Sequence, residues 1–280
     1  MCIQALLFTA DPAFRSELPA SRRFFRYLRS CIFRSEIIYR QYLKLRYGAG
    51  TVSSFPHTSL PNRVLQNRAE WRGAFRLAKE LHLPLHRAEE KNWDHLAAVH
   101  AIVCNLPKSA HVLDAGAELY SNLLPSLFVY GYHHLYGMNL SFSSHARRGP
   151  IQYMPGDITH TSFSNSTFDA ITCMSVIEHG VPVEAFFREM FRILKPGGIL
   201  ITSTDYYPTQ IDTRNQIAHG APIRIFSKPD VEAMLAQAKA CGFEKTGDLD
   251  LECVQRPIYW EEPNLDFTFL IFTLRKPARC

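Results

Sequence analysis

No run of about 18 uninterrupted apolar residues occurs in this 280-residue chain, which excludes an ordinary membrane-spanning helix. Nothing in it is low-complexity. No pair among its seven cysteines stands as C-x-x-C; Cys2, Cys31, Cys104, Cys173, Cys241, Cys253 and Cys280 are odd in number and scattered. That pattern speaks against a disulfide framework and against a zinc site, so no metal is expected, and it favours a reducing compartment, the cytoplasm. Met1 to Ala10 is apolar but has no basic n-region, so a secretory signal is not expected. A content of 46% apolar and 20% charged residues excludes a disordered or fibrous chain and allows one large domain, or one domain with an appendage. The net charge of +5 is unevenly placed. From Arg15 to Arg46 nine Arg or Lys face only Glu17 and Glu36, and the rest of the chain is close to neutral.

What is present divides near residue 85. Residues 1–85 read as a helical N-terminal extension. Ser21 to Tyr47 interleaves Arg with Phe24, Phe25, Leu28, Ile32, Ile37, Tyr42 and Leu43 at helical spacing. Gly48 to Pro61 is a loop by composition, and helices are expected over Asn62 to Leu81 and Asn92 to Leu106. Residues 86–280 form the second unit, where strands are expected at about 111–114, 134–138, 151–154, 168–174, 198–204, 249–254 and 267–274, with helices between most of them. Val183, Phe186, Phe187, Met190 and Leu194 make one apolar helical stripe. Ser227-Lys-Pro-Asp230 is a capping box opening another helix, which Gly242 ends. The last two strands flank a loop with Pro257 and Pro263 and should pair as an antiparallel hairpin.

Repeated strand, turn and helix build a parallel sheet whose strand C-termini form a ligand crevice. The first strand, His111 to Asp114, turns through Gly116. A dinucleotide fold wants G-x-G-x-x-G so that its pyrophosphate can approach bare backbone. Here Gly116 stands alone and Glu118 occupies the loop, where a carboxylate would repel phosphate. It is also a first-turn acid of the kind a helix dipole favours.

Val112-Leu-Asp-Ala-Gly116, Gly156-Asp-Ile158, Phe168-Asp-Ala-Ile171, Ser175-Val-Ile-Glu-His179 and Arg192-Ile-Leu-Lys-Pro-Gly-Gly198, in this order, resemble a class I S-adenosylmethionine-dependent methyltransferase over residues 110–276. The resemblance implies a Rossmann-like, doubly wound, mostly parallel α/β sheet of seven strands, closed by an antiparallel C-terminal hairpin. It implies S-adenosylmethionine as cofactor, which carries a sulfonium and an ammonium but no phosphate. The cofactor would lie against Asp114, Ala115, Gly116 and Glu118, Asn139 and Leu140, Gly156, Asp157 and Ile158, and Met174 and Ser175. Asp114 would hold its methionine end and Asp157 its adenine amine. Asn139 stands where the family usually places a ribose-binding acid.

Methyl transfer needs a nucleophile held in line and, for a hydroxyl, a base. Glu178 and His179, just past the fourth expected strand, are the catalytic candidates; His179 has the pKa range of a base, and it could equally pack locally. Asp205, Tyr206, Tyr207 and His219 are second candidates for the acceptor pocket. The motif of amino-directed nucleic-acid methyltransferases is missing after that strand, which speaks against nucleic acid as substrate. An oxygen of a small molecule, or of a glycan- or lipid-type acceptor, is the expected target. The alternatives are a non-catalytic relative that only binds and a nicotinamide-dependent oxidoreductase. The Arg-rich 15–46 segment is a candidate for peripheral membrane or partner contact, against the plainer reading of a solvated helix face; oligomeric state is left open.

Overall fold

Parallel strands cannot be joined by tight hairpins; each needs a crossover, and the alternating pattern after Ala110 supplies helices for that purpose. The computed structural model describes residues 31–48, 60–218, 220–261 and 264–278. Met1 to Ala10, residues 15–30 of the basic segment, most of the 48–61 loop, His219, Pro263 and Cys280 therefore lie outside the described residues. The elements run α1 (Glu36–Tyr47), β1 (Arg63–Val64), α2 (Arg68–Glu80), a 3-10 turn (Glu89–Lys91), α3 (Asn92–Asn105), β2 (His111–Ala115), α4 (Leu123–Val129), β3 (His134–Asn139), β4 (Ala146–Arg148), β5 (Ile151–Pro155), β6 (Phe168–Met174), α5 (Val183–Ile193), β7 (Leu194–Tyr206), β8 (Ile217–Ala218), β9 (Ala221–Pro222), α6 (Lys228–Ala240), β10 (Glu244–Lys245), β11 (Ile258–Trp260) and β12 (Leu265–Arg275).

The main sheet has ten strands in the order β1-β12-β7-β6-β2-β3-β5-β4, with β10 and β11 also on β12. β5, β3, β2, β6 and β7 are mutually parallel, and β12 joins β7 antiparallel. The chain leaves β2 toward β3 on one side and returns to β6 on the other. That reversal opens a crevice at the strand C-termini, and Asp114 sits there, level with Gly137 on β3 and Thr172 on β6. One face of the sheet is covered by α1, α3 and α4 through Tyr39, Leu43, Trp93, Ile102, Leu127 and Phe128. The other is covered by α5 and α6 through Phe186, Phe187, Met190, Val231 and Met234. The capping box of α6 is formed: the Asp230 amide donates to Ser227 Oγ (3.4 Å) and the Ser227 amide to Asp230 Oδ2 (2.9 Å).

Three expectations are corrected. Residues 249–254 are not a ladder strand: one bridge, Arg63 to Asp250, remains. Asp250 Oδ1 accepts the Glu252 amide (2.9 Å), a local turn that competes with pairing. Ile258–Trp260 makes the hairpin with β12 instead, and β1, β4 and β10 enlarge the sheet beyond seven strands. Asn62 to Leu81 is not helical from its start. Asn67 caps α2 by accepting the Glu70 amide (3.1 Å), and Arg63–Val64 ahead of it joins β12 as a strand. The described part of the extension is thereby hydrogen-bonded into the sheet. Strand β4 and the β8–β9 pair were not expected.

Candidate active site

The crevice has two halves. In the first, β2 ends on Asp114, 3% exposed, whose Oδ1 accepts from Thr172 Oγ1 (2.8 Å). Burial foremost pushes its carboxyl up to about 7; the Thr172 hydroxyl opposes the shift, and Asp94 and Glu118 add to it. Ala115, fully buried, completes the strand. Gly116 then turns at φ +93° with its amide on Met138 O (2.8 Å). A Cβ there would lie 2.3 Å from Val176 Cγ2, so only glycine lets the segment after β6 close over the loop. Asn139 Nδ2 donates to Gly116 O (3.2 Å), Ala117 O (3.0 Å) and Glu118 Oε1 (3.2 Å). The Asn139 carbonyl accepts the Gly156 amide (3.2 Å). Gly116, Ala117, Glu118, Asn139 and Gly156 are therefore one bonded unit, and Asp114 next to it is held separately by Thr172. Asp157 is exposed and folds back on Thr159, whose amide (2.8 Å) and hydroxyl (2.7 Å) it accepts. Ile158 is buried beside it and Leu140 stands 75% exposed at the rim.

The second half lies over the ends of β6 and β7. Met174 is buried and Ser175 takes a left-handed φ of +53°, uncommon for a residue with a Cβ. Its amide is held by Ser203 O (3.0 Å) and Ser203 Oγ (3.1 Å). Glu178 is 1% exposed; Thr204 Oγ1 donates to its Oε2 (3.1 Å). Burial raises its carboxyl, then the Asp205 charge, against a downward pull from Lys91. Asp205 is likewise raised by burial, against Lys91 and with Asp94. His179, half-buried, closes the turn through its amide on Val176 O (3.0 Å). Tyr206 and Tyr207 point elsewhere, donating to Leu251 O (2.6 Å) and Val254 O (3.2 Å).

Lys91, Asp94 and His95, which sequence reasoning missed, come from the turn and helix that open α3. Lys91 Nζ donates to Ser175 Oγ, lies 3.8 Å from Asp205 Oδ1 and sits 3.6 Å above the Phe269 ring. Asp94 is fully buried and accepts from Ser203 Oγ (2.7 Å) and the His95 amide (2.8 Å). Burial lowers the His95 pKa, so its neutral ring can donate Nδ1–H to Asn122 Oδ1. Asn122 Nδ2 in turn bonds Pro84 O (3.1 Å) and Asn92 Oδ1 (3.1 Å). The available signal was a largely apolar helix with Asn92, Asp94 and His95 crowded into its first turn.

Asp94, Asp114, Glu178 and Asp205 are all buried, and among the described residues only Asp205 has an ion-pair partner, Lys91. A concave site with this surplus of carboxylates favours a cation and repels phosphate. Among the described residues no group of side chains could hold a metal ion. The segment over Glu178 and Asp205, tied by the Arg224 amide to Glu178 O (2.9 Å) and the Phe226 amide to Asp205 O (3.0 Å), borders a cavity. The cavity measures about 1000 Å³ and mixes Ile211, Ile217, Ile223 and Ile225 with polar and charged residues, including the ion pairs Arg214–Asp212 and Arg224–Asp230. Another, about 550 Å³, lies away from the crevice beside α5, where Arg188 and Arg192 are already paired with Glu184 and Glu189.

A doubly wound sheet with a carboxylate-lined crevice at its switch point defines a Rossmann-like fold whose crevice favours a cationic nucleoside over a phosphate-bearing ligand. Residues 113–202 match the family model of a methyltransferase domain, and over that stretch the chain is similar to class I S-adenosylmethionine-dependent methyltransferases. Sterol 24-C-methyltransferase of Candida albicans is 28% identical over 122 residues, 40% of this chain and 32% of that protein. The chain thus matches about a third of the length of such relatives. Among solved structures, the [4+2]-cyclase SpnF is similar at 18% identity and TM-score 0.52, covering 79% of this chain and all of that one. An S-adenosylmethionine-dependent methyltransferase of Mesorhizobium loti is similar at 16% identity and TM-score 0.46, covering 66% of this chain and 97% of that chain.

Proposed function

We propose that this chain binds S-adenosylmethionine in the first half of the crevice and methylates a small acceptor with an apolar body in the second. The carboxylate surplus around Asp114, Glu178 and Asp205 carries this reading, because it suits a ligand with a sulfonium and an ammonium and no phosphate. When bound, the cofactor supplies an electrophilic methyl group. Asp114 would take the ammonium, Glu118 beside Asn139 the ribose hydroxyls, Asp157 the adenine amine, and Leu140 and Ile158 the faces of the base. Met174 and Ser175 would form the floor next to the methyl group.

Glu178 and Asp205 crowd each other and hold fewer charges than carboxyls, as paired buried acids do. The ionised member can accept the proton the acceptor loses, and Lys91 steadies it. We assign the base role to this pair ahead of His179. The four isoleucines of the adjoining cavity suit the aliphatic part of an acceptor, and the polar residues beside them suit a polar group on it. The sterol relatives are named for transfer to carbon, which favours a carbon target over the oxygen expected from the sequence; the same pair serves either. A cytoplasmic setting is supported by the cysteine pattern.

A second reading, binding without methyl transfer, is favoured by one observation: the Asn139 amide is spent on the loop carbonyls. A similar fold occurs in the [4+2]-cyclase SpnF. Calorimetry separates these readings. Micromolar binding of S-adenosylhomocysteine supports the proposal, tight NAD(P) binding overturns it, and cofactor binding without label transfer in a radiolabelled-methyl screen of sterols, other lipids, glycans and small hydroxyl compounds promotes the second reading.

A further inference from the structure

Helix α1 is apolar on two sides. Its inner side seats Tyr39 and Leu43, each 2% exposed, with Tyr39 stacked on Phe128. Its outer side leaves Ile37 74% and Leu45 87% exposed, with Ile38 also exposed, as is Ile32 ahead of the helix. Single exposed aliphatics are normal on a protein surface. Here they stand among Arg34, Arg40, Lys44 and Arg46, all exposed, while the acid of this helix, Glu36, is near both Arg40 (3.7 Å) and His133 (3.4 Å). The sequence from Arg15 to Arg46 carries more positive charge than the whole chain's net of +5.

We propose that the outer face of α1 is a docking surface for an anionic lipid membrane, on which the helix lies in the plane of the interface. Aliphatic side chains flanked by cations match the boundary between acyl chains and acidic headgroups. Nucleic acid fits less well, because stacking needs exposed rings and the exposed apolar residues here are aliphatic. The inner side fixes the helix to the domain, and His82 Nδ1, hydrogen-bonded to Tyr47 O (3.1 Å), joins its end to the segment that leads to Lys91. The surface does not depend on methyl transfer.

The test is co-sedimentation of the full chain with phosphatidylcholine vesicles, with or without about a third phosphatidylserine. Binding to the anionic vesicles only, weakening as salt rises, is expected. Ile37→Ser with Leu45→Ser, and separately Arg34→Glu with Lys44→Glu, should each lower that binding by about tenfold while thermal midpoint and circular dichroism stay unchanged. No vesicle binding, equal binding of the variants, or loss of a dimer in the Ile37/Leu45 variant on size exclusion would overturn it, the last in favour of a second copy of the chain. Displacement by a short single-stranded RNA, with the aliphatic variant displaced equally, would overturn it in favour of nucleic acid.

Discussion

The two halves of the crevice carry the same surplus of acid but are assembled differently. Around Asp114 most of the bonds run among residues of one contiguous stretch, from β2 to the turn after β5, joined by Thr172 of β6, 58 positions from Asp114, and the family match falls on much of it. Over β6 and β7 the partners are distant: Lys91 reaches Ser175 across 84 positions, and Asp94 reaches Ser203 across 109. The first half is a local motif. The second is made by laying an N-terminal helix across strand ends, so it can change with that helix while the motif stays. A difference in acceptor between proteins of one fold would be written there.

Substitutions on either side should give different signatures. Asp114→Ala removes the carboxylate we place against the cofactor's ammonium and should weaken S-adenosylmethionine binding by about a hundredfold, about 2.7 kcal/mol. The fold should survive by circular dichroism, since no ion pair is broken. Unchanged affinity in a calorimetric titration would put the cofactor elsewhere. Lys91→Met acts in the other half. It leaves Asp205 without a counter-ion and should cost about 2 kcal/mol of stability at pH 8, and less at pH 6, where the acids can protonate instead. Cofactor affinity should move far less than in the Asp114 variant. Equal loss at both pH values, read from chemical denaturation, would reduce Lys91 to packing on Phe269.

The same contrast explains what the sequence disclosed. Asp114, Gly116, the α5 stripe and the α6 capping box are signalled by neighbours a few residues away, and the structure places them as read. Lys91 and Asp94 carry no local signal, because their partners are chosen by tertiary packing; Asn92, Asp94 and His95 in an apolar helix were the visible oddity. Residues 249–254 alternate like a strand, yet the outer edge of β12 is taken by Arg63–Val64 and Glu244–Lys245. Edge pairing is decided by competition between segments, which a window of residues cannot show.

The acid surplus also predicts a pH dependence. Asp114 titrates near 7 in the folded protein against an ordinary 3.8. Its proton is retained on folding and lost on unfolding between those values, so this residue's contribution to stability falls as pH rises through 7. A cationic ligand prefers the ionised form, so S-adenosylmethionine affinity should rise about tenfold from pH 6 to pH 8. S-adenosylhomocysteine, which keeps the ammonium, should rise by a similar factor, and Asp114→Ala should flatten both slopes. No slope for either ligand would mean that Asp114 does not face the ligand's ammonium.

The smallest effect is expected at Asn139, where the two ways of reading the cofactor half oppose each other. The family resemblance puts an acid at this position for the ribose, so Asn139→Asp should tighten binding if contact with the ligand is what matters there. In this chain, however, the amide holds Gly116 O, Ala117 O and Glu118 Oε1. An aspartate can donate to none of them, and it would bring a carboxylate against two carbonyl oxygens and the Glu118 carboxylate. Losing those donors should cost about 1 kcal/mol of stability and loosen the turn at Gly116. Cofactor affinity should therefore fall, by about fivefold, because about 1 kcal/mol is close to that factor. Asn139→Ala should resemble it, having lost the same donors without the added repulsion. A gain in affinity for the aspartate variant alone would show that Glu118 does not serve the ribose and that the clamp is dispensable.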